Sequence, residues 1–219
     1  MALELETVEI ATGDAPEASI VWLHGLGADG HDFAPIVPEI ELPCDVRFVF
    51  PHAPVRSVTI NMGARMRAWY DILSMERTDL EDELGIRESA AAVARLIEIE
   101  QERGIAANRI VLAGFSQGGA IALFQGLREK RLAGILALST YLPLGWTMGD
   151  EPTDANDDVP IFMAHGTVDN VVPQAIGLAS LRRLEKFGYS VEWQSYGMGH
   201  TVCPKEIADI GDWLTVVLS

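Results

Sequence analysis

Short apolar runs along the chain alternate with segments in which apolar residues recur at helical spacing. Residues 5–10 read Leu-Glu-Thr-Val-Glu-Ile, and this alternation predicts an edge strand with one exposed face. The apolar runs predict six further strands, which we place at Ser19–His24, Arg47–Phe50, Arg109–Ala113, Ala133–Leu138, Pro160–His165 and Val191–Tyr196.

Apolar residues at helical spacing separate several of these runs. They predict four helices, which lie between Met75 and Gly104, after Ser116, from Pro173 onwards and from Pro204 onwards. Strands that alternate with helices are typical of a mostly parallel sheet covered on both faces. Because 219 residues fit one large domain and the chain shows neither a repeat nor a linker, we predict a single α/β domain over residues 1–219.

Two segments follow neither pattern. Residues 57–75 are rich in methionine and also contain aromatic side chains, and we interpret them as an apolar flap or as part of the core. Residues 145–158 contain Gly145, Gly149, Pro152 and four aspartates, a composition that predicts a polar excursion on the surface.

The charge and the cysteines of the chain bear on its partners and its compartment. With 32 acidic and 16 basic residues the net charge is −16, which opposes binding to nucleic acid and to anionic lipid. No apolar run approaches the length of a membrane-spanning helix, and the first residues lack the pattern of a leader. Cys44 and Cys203 lie far apart in sequence, which suits a reducing compartment. We therefore expect a cytoplasmic protein without nucleic-acid partners or integral membrane association.

The sequence Gly114-Phe-Ser-Gln-Gly-Gly119 joins a predicted buried strand to a predicted helix. A serine in a G-x-S-x-G frame at such a junction indicates a nucleophile elbow, a sharp turn that presents the hydroxyl above the sheet. Glycine is needed at positions 114 and 118 because a side chain near so tight a turn would clash. Ser116 is therefore the predicted nucleophile.

A serine hydroxyl needs a base to remove its proton, and the base needs an acid to orient it. In hydrolases with this elbow the chain order is serine, acid, histidine, and only His165 and His200 follow Ser116. We predict that His200, in a glycine-flanked loop after the last strand, is the base. Asp169, four residues beyond a strand end, is the predicted acid. The alternative acids lie in the predicted excursion and are Asp150, Asp154, Asp157 and Asp158.

An oxyanion hole is the remaining requirement for acyl transfer. One predicted donor is the backbone N–H of Gln117, which directly follows the serine at the start of its helix. The other is the N–H of Leu26, in a glycine-containing loop after an earlier strand. We interpret His24 as a structural member of that loop, and His31 and His52 as surface or packing residues.

The segment Gly25–Gly30 also matches the G-x-G-x-x-G pattern of dinucleotide-binding proteins. A dinucleotide site requires a helix that begins at the glycines, but Pro35 and Pro38 interrupt the segment where it would lie. A nucleotide-dependent enzyme is one alternative to a serine esterase, and a non-catalytic hydrolase fold that only binds a ligand is another. No motif with metal-ligand spacing occurs, and we predict neither a metal nor another cofactor.

Several motifs occur together in one order: Leu23-His-Gly-Leu-Gly27, Trp69-Tyr-Asp71, Gly114–Gly119, Ser139-Thr-Tyr-Leu-Pro143, His165-Gly-Thr-Val-Asp169 and Gly199-His200. On these motifs the chain closely resembles the small carboxylesterases of the phospholipase/carboxylesterase group, which are relatives of the acyl-protein thioesterases and lysophospholipases. The resemblance covers essentially the whole chain. It implies an α/β-hydrolase fold without a large cap domain, with Ser116, Asp169 and His200 as catalytic residues and Leu26 and Gln117 as oxyanion donors.

The resemblance also implies an acyl groove lined by Leu73, Met75, Tyr141 and Val171, with Trp69 nearby. Tyr141 stands where relatives often have tryptophan. We expect a serine carboxylesterase that hydrolyses esters or thioesters of short-to-medium acyl chains through an acyl-enzyme. Acyl-protein thioesterase and lysophospholipase activities are the alternatives. The expected partners are a small acyl ester and, through an exposed apolar groove, a second copy in a weak homodimer.

Overall fold

The computed structural model describes residues 3–74 and 80–219 and is built around a seven-stranded sheet. In chain order the strands are β1 (Thr7–Ala11), β2 (Ala18–Leu23), β3 (Val46–Pro51), β4 (Val55–Val58), β5 (Ala64–Arg67), β6 (Ile110–Phe115), β7 (Gly134–Leu138), β8 (Ile161–Gly166) and β9 (Val191–Tyr196). The order across the large sheet is β1-β3-β2-β6-β7-β8-β9, while β4 and β5 form a separate hairpin. Strand β6, which leads to the predicted nucleophile, therefore lies at the centre of the sheet.

Four α-helices connect or flank these strands, and they are α1 (Glu83–Glu102), α2 (Gln117–Gly126), α3 (Gln174–Lys186) and α4 (Pro204–Val217). Short 3-10 helices occur at Ala34–Glu39, Thr59–Asn61, Ala107–Arg109, Gly145–Gly149 and Asp154–Asn156. Helix α1 begins after Asp82, whose side chain accepts a hydrogen bond from the backbone N–H of Gly85 at 3.0 Å. Pro204 occupies the first turn of α4, where its missing N–H costs no intrahelical bond.

The pairing of the strands confirms the predicted α/β class. Only β1 is antiparallel to its neighbour in the large sheet, and the other five pairings are parallel. All seven strands of this sheet were predicted, with ends displaced by at most two residues. Because parallel strands share one direction, the loops after β2, β6, β7, β8 and β9 all leave from the same edge of the sheet.

Apolar layers cover both faces of the sheet. Val21 of β2 belongs to the layer formed with α1, α2 and α3, whereas its neighbour Ile20 belongs to the layer formed with α4 and the 3-10 helix at 34–39. Both side chains are completely buried. A strand covered in this way has no polar face, which explains the continuous apolar runs in the sequence.

The two irregular segments contain more order than the sequence indicated. Residues 57–75 were interpreted without secondary structure, yet β4 and β5 form an antiparallel hairpin with Met62, 98% exposed, at its turn. The surface excursion predicted at 145–158 is also partly wrong, because Thr147, Met148 and Asn156 are buried. Glu151 is held by ion pairs to Arg87 and Arg128, so charged residues fix this segment to the domain.

Candidate active site

The central strand ends in a strained turn. Ser116 lies between β6 and α2 with φ 53° and ψ −120°, a backbone conformation that non-glycine residues rarely adopt. A Cβ on Gly114 would lie 2.4 Å from the backbone of Gly118, and one on Gly118 would lie 2.4 Å from the carbonyl oxygen of Leu23. The predicted need for glycine at both positions therefore has a direct steric cause.

The structure brings Ser116, His200 and Asp169 into one hydrogen-bonded chain. The Nε2 atom of His200 lies 2.9 Å from the Oγ atom of Ser116, and its Nδ1 atom lies 2.7 Å from the Oδ2 atom of Asp169. The Asp169 carboxylate is fully buried, and the His200 side chain is 16% exposed. The ring of His200 also contacts that of Phe115, with 4.7 Å between the centroids. This arrangement can remove a proton from the serine hydroxyl and return it to a leaving group.

Asp169 is fixed by the turn that follows β8. Its Oδ1 atom accepts hydrogen bonds from the N–H groups of Val171 and Val172 at 2.8 and 2.9 Å. Its Oδ2 atom is thereby left to accept the Nδ1–H of His200. Since the carboxylate accepts from Nδ1, the neutral ring of His200 presents an unprotonated Nε2 atom to the serine.

His165, the other histidine that follows the serine, does not contact the hydroxyl. Its Nε2–H donates to the carbonyl oxygen of Val172 at 2.8 Å, and the same atom lies 3.5 Å from Oδ2 of Asp169. Burial lowers the pKa of His165, so the ring is neutral at physiological pH. The residue therefore supports the turn that carries Asp169.

The predicted oxyanion donors are the backbone N–H groups of Leu26 and Gln117. The backbone N–H groups of Leu26 and Gln117 have no hydrogen-bond partner in the described part of the chain. Both residues line one cavity together with Ser116. The N–H of Gly27 donates to Arg67 at 2.9 Å, which ties the loop after β2 to the β4–β5 hairpin. Two free N–H groups next to a nucleophile can stabilise a developing negative charge.

His24 has the structural role that we predicted. Its Nε2 atom accepts the N–H of Ala53 at 3.0 Å, and its Nδ1–H donates to the carbonyl of Gly25 at 2.7 Å. Burial lowers the pKa of His24 to about 4. A neutral ring with both nitrogens in use is unsuited to proton transfer but well suited to hold the loop that carries Leu26.

Trp69 was predicted near the acyl groove, and it lies next to the cavity without lining it. Its side chain is completely buried, does not line the cavity, and donates from Nε1 to the carbonyl of His24 at 2.8 Å. The amide of Gln117 accepts the N–H of Trp69 at 2.8 Å and donates to the carbonyl of Tyr70 at 2.7 Å. Trp69 thus supports the site, and the adjacent Tyr70 faces the cavity instead.

A cavity of about 590 Å³ opens next to the serine. Three of the predicted groove residues, Leu73, Tyr141 and Val171, line it, and Met75 lies outside the described residues. Other apolar side chains, which were not assigned to the groove from the sequence, form most of the remaining wall. They are Ile60, Ile72, Leu80, Leu142, Trp146, Val172, Ile176 and Ala179. Such a cavity suits an acyl chain, since it removes apolar surface from water.

Comparison with known proteins agrees with this geometry. The family model described as Phospholipase/Carboxylesterase matches residues 5–218. The chain belongs to this family. Acyl-protein thioesterase 1 of Cryptococcus neoformans is 38% identical over the whole of both chains, and acyl-protein thioesterase 1 of Neurospora crassa is 42% identical over 90% of this chain and 86% of its own. The crystal structure of acyl-protein thioesterase 2 from Zea mays matches with a TM-score of 0.88 at 29% identity and covers 98% of this chain and 99% of that one.

Membership of the phospholipase/carboxylesterase family confirms two predictions. The fold is that of an α/β-hydrolase, and no cap domain is evident among the described elements. The chain is a serine hydrolase of ester or thioester bonds, as its family and its relatives indicate. Within residues 3–74 and 80–219, none of the helices combines the length and apolar character needed to cross a membrane.

The glycine-rich loop of this family member does not lead into the helix of a dinucleotide site. Residues 31–45, all of which are described, contain only the 3-10 helix at Ala34–Glu39. Among the described residues, one group has spacing suited to a metal, formed by Asp29, His31 and His52 with ligand atoms within 4.8 Å of one another. However, Oδ1 of Asp29 accepts from His31, and Nδ1 of His52 accepts the N–H of Gly30 at 3.0 Å. These ligand atoms of Asp29 and His52 are therefore already engaged in bonds within the protein.

Proposed function

We propose that this protein is a serine carboxylesterase in which Ser116 is the nucleophile, His200 the base and Asp169 the residue that orients the base. The observation that carries this assignment is the continuous hydrogen-bonded chain from Oγ of Ser116 through both ring nitrogens of His200 to Oδ2 of Asp169. We further propose that the N–H groups of Leu26 and Gln117 form the oxyanion hole.

The reaction follows from the positions of these groups. His200 accepts the proton of Ser116 at Nε2 while Oγ bonds to the acyl carbon, and the carbonyl oxygen becomes an oxyanion that accepts from Leu26 and Gln117. His200 then returns the proton to the leaving alcohol or thiol as the bond to the acyl carbon breaks. A water molecule repeats these steps on the acyl-enzyme and releases the acid and the free serine.

The proposed substrates are oxyesters or thioesters of short-to-medium acyl chains, which the cavity of about 590 Å³ would bind through its apolar wall. Acyl-protein thioesterase activity is the second candidate, because two curated relatives bear that name at 38% and 42% identity. Lysophospholipase activity is a further alternative. A cytoplasmic location agrees with two free cysteines, Cys44 and Cys203. A single domain, a weak homodimer and the lack of nucleic-acid partners remain predictions.

Turnover of p-nitrophenyl esters and acyl thioesters of increasing chain length tests the proposal. Ser116→Ala should lower kcat by roughly 10⁴- to 10⁶-fold, because the covalent step is lost. Ser195→Ala, which changes an exposed serine outside the cavity, is the matched control and should leave kcat unchanged. Near wild-type turnover by Ser116→Ala would refute the assignment of the nucleophile.

A further inference from the structure

Most polar side chains in the cavity wall already have protein partners. The Asp71 carboxylate accepts the backbone N–H and the hydroxyl of Thr59 at 2.7 and 2.6 Å. The Ser180 hydroxyl donates to Ile176 and accepts the N–H of Leu142. The side-chain amide of Gln117 uses its oxygen and its nitrogen in the bonds described above. These groups are therefore committed to the protein and are poor candidates for binding a substrate.

The hydroxyl groups of Tyr70 and Tyr141 differ, because they bond to each other. Their oxygen atoms lie 2.8 Å apart, and both residues line the cavity. Burial raises the pKa of Tyr141 to about 12 and raises that of Tyr70 well above its usual value, so both groups are protonated. The pair has two O–H protons, of which only one lies in the hydrogen bond between them, and among the described residues neither oxygen has a second partner. Whichever hydroxyl donates, the O–H of the other lacks a protein acceptor.

The position of the cavity relative to Ser116 and His200 indicates which part of a substrate lies near the free tyrosine O–H. Ser116 and the predicted oxyanion donors line the cavity, but His200 does not. His200 must protonate the leaving group, which therefore lies on the histidine side of the serine. The acyl chain, attached to the same carbon, extends into the cavity on the opposite side. The tyrosine pair accordingly faces the acyl chain rather than the alcohol or thiol.

We propose that the cavity selects acyl groups that carry an oxygen acceptor, such as an ether or carbonyl oxygen, which accepts the free O–H of the Tyr70–Tyr141 pair. An unsatisfied donor in an apolar wall is costly, and an acceptor on the substrate removes that cost. This inference rests on the proposed esterase function and specifies its substrate class.

A positional scan of the acyl chain tests the inference. The probes are p-nitrophenyl octanoate and its ether analogues in which oxygen replaces one methylene group at successive positions. One analogue should reach a kcat/KM about tenfold above those with oxygen at neighbouring positions, mainly through a lower KM, because the contact is equal in ground and transition states. In the double variant Tyr70→Phe/Tyr141→Phe this maximum should disappear, because both hydroxyl groups are removed. The double substitution also avoids leaving one hydroxyl without its partner.

Tyr189→Phe is the matched control, because Tyr189 is a buried tyrosine that does not line the cavity. Tyr189→Phe should keep the maximum of kcat/KM at the preferred oxygen position. A wild-type enzyme that hydrolyses octanoate but shows no preferred oxygen position would overturn the inference and leave the esterase assignment intact. A wild-type enzyme that hydrolyses none of the probes would instead refute the proposed function. The wild-type scan decides the question even if the double variant fails to fold.

Discussion

The hydroxyl of Thr140 donates a hydrogen bond to the backbone carbonyl of Ser116 across 2.6 Å. Thr140 is buried and follows Ser139, which has φ 47°, at the end of the neighbouring strand β7. Two adjacent strand ends therefore carry unfavourable backbone conformations, and this bond joins them. Such conformations persist only where the surroundings hold them in place. Thr140 is thus a positioning residue that keeps the turn at Ser116 in its strained geometry.

Thr140→Val should lower kcat about tenfold with little change in KM. The substitution keeps the shape of the side chain but removes its donor, so the hydroxyl of Ser116 loses alignment while the cavity is unaltered. Thr140→Ser keeps the donor and should restore most of the activity. Steady-state kinetics, together with the rate of labelling by a fluorophosphonate, measure the effect.

Thr147 provides the control, because its buried hydroxyl also donates to a backbone carbonyl, that of Leu144, at 2.9 Å. It does not line the cavity. Thr147→Val should lower the melting temperature without lowering kcat. If Thr140→Val lost stability but kept its kcat, the positioning role would be wrong and the bond would be structural only.

Asp169→Asn should lower kcat by about 10⁴-fold while the fold is kept, as in the serine protease precedent for this exchange. Two backbone N–H groups require an oxygen at the Oδ1 position, so the new NH₂ group must face Nδ1 of His200. A donor there forces the proton of His200 onto Nε2, which then cannot accept from Ser116. Circular dichroism and kcat measured on the same preparation separate unfolding from loss of catalysis.

Asp150→Asn is the comparison for this substitution, since Asp150 was one of the alternative acids and is exposed. It should retain wild-type kcat. A large loss in Asp150→Asn, with an active Asp169→Asn, would reverse the assignment of the acid.

Glu206 of α4 is a buried carboxyl group that opposes stability at neutral pH. Its side chain is completely buried, and burial raises its pKa to about 7 from an ordinary value of 4.5. Because the folded state binds the proton more tightly, the free energy of unfolding falls as pH rises through this window, by about 3 kcal/mol in total. The glutamine side chain of Glu206→Gln is uncharged at every pH, so the variant avoids this loss in the free energy of unfolding. The variant should therefore gain stability over wild type between pH 4.5 and 7 and keep the gain above pH 7.

Chemical denaturation across this pH range measures the difference. Glu88→Gln, at an exposed position on α1, is the control for the exchange of glutamate for glutamine. A pH-independent difference between Glu206→Gln and wild type would show that the Glu206 carboxyl has the same pKa in the folded and unfolded states.

The strands could be predicted because each depends on a short stretch of sequence. The order of Ser116, Asp169 and His200 could be predicted because it depends only on their positions along the chain. A fully buried strand such as β2 is a continuous apolar run, and the glycine-flanked loop after the last strand distinguished His200 from His165. The wall of the cavity was harder to predict, since it depends on which way each side chain points. Trp69 and Tyr70 are neighbours in sequence and both amphipathic, yet only Tyr70 faces the cavity.

Long-range contacts explain the other differences. The polar composition of residues 145–158 predicted a surface segment, but Glu151 pairs with Arg87 and Arg128, which lie 64 and 23 residues away. Asn156 is buried because its amide bonds to the carbonyl of Gly126 and to the N–H of Leu132. Local composition contains no information about these partners.

The most direct test of the account is the site at which a serine-directed fluorophosphonate attaches to the wild-type protein. Mass spectrometry of the labelled peptides should place one phosphonyl group on Ser116, and Ser116→Ala should remain unlabelled. Labelling should abolish ester hydrolysis in proportion to the fraction modified. Attachment to a different residue, or hydrolysis that persists after Ser116 is fully modified, would contradict the central claim.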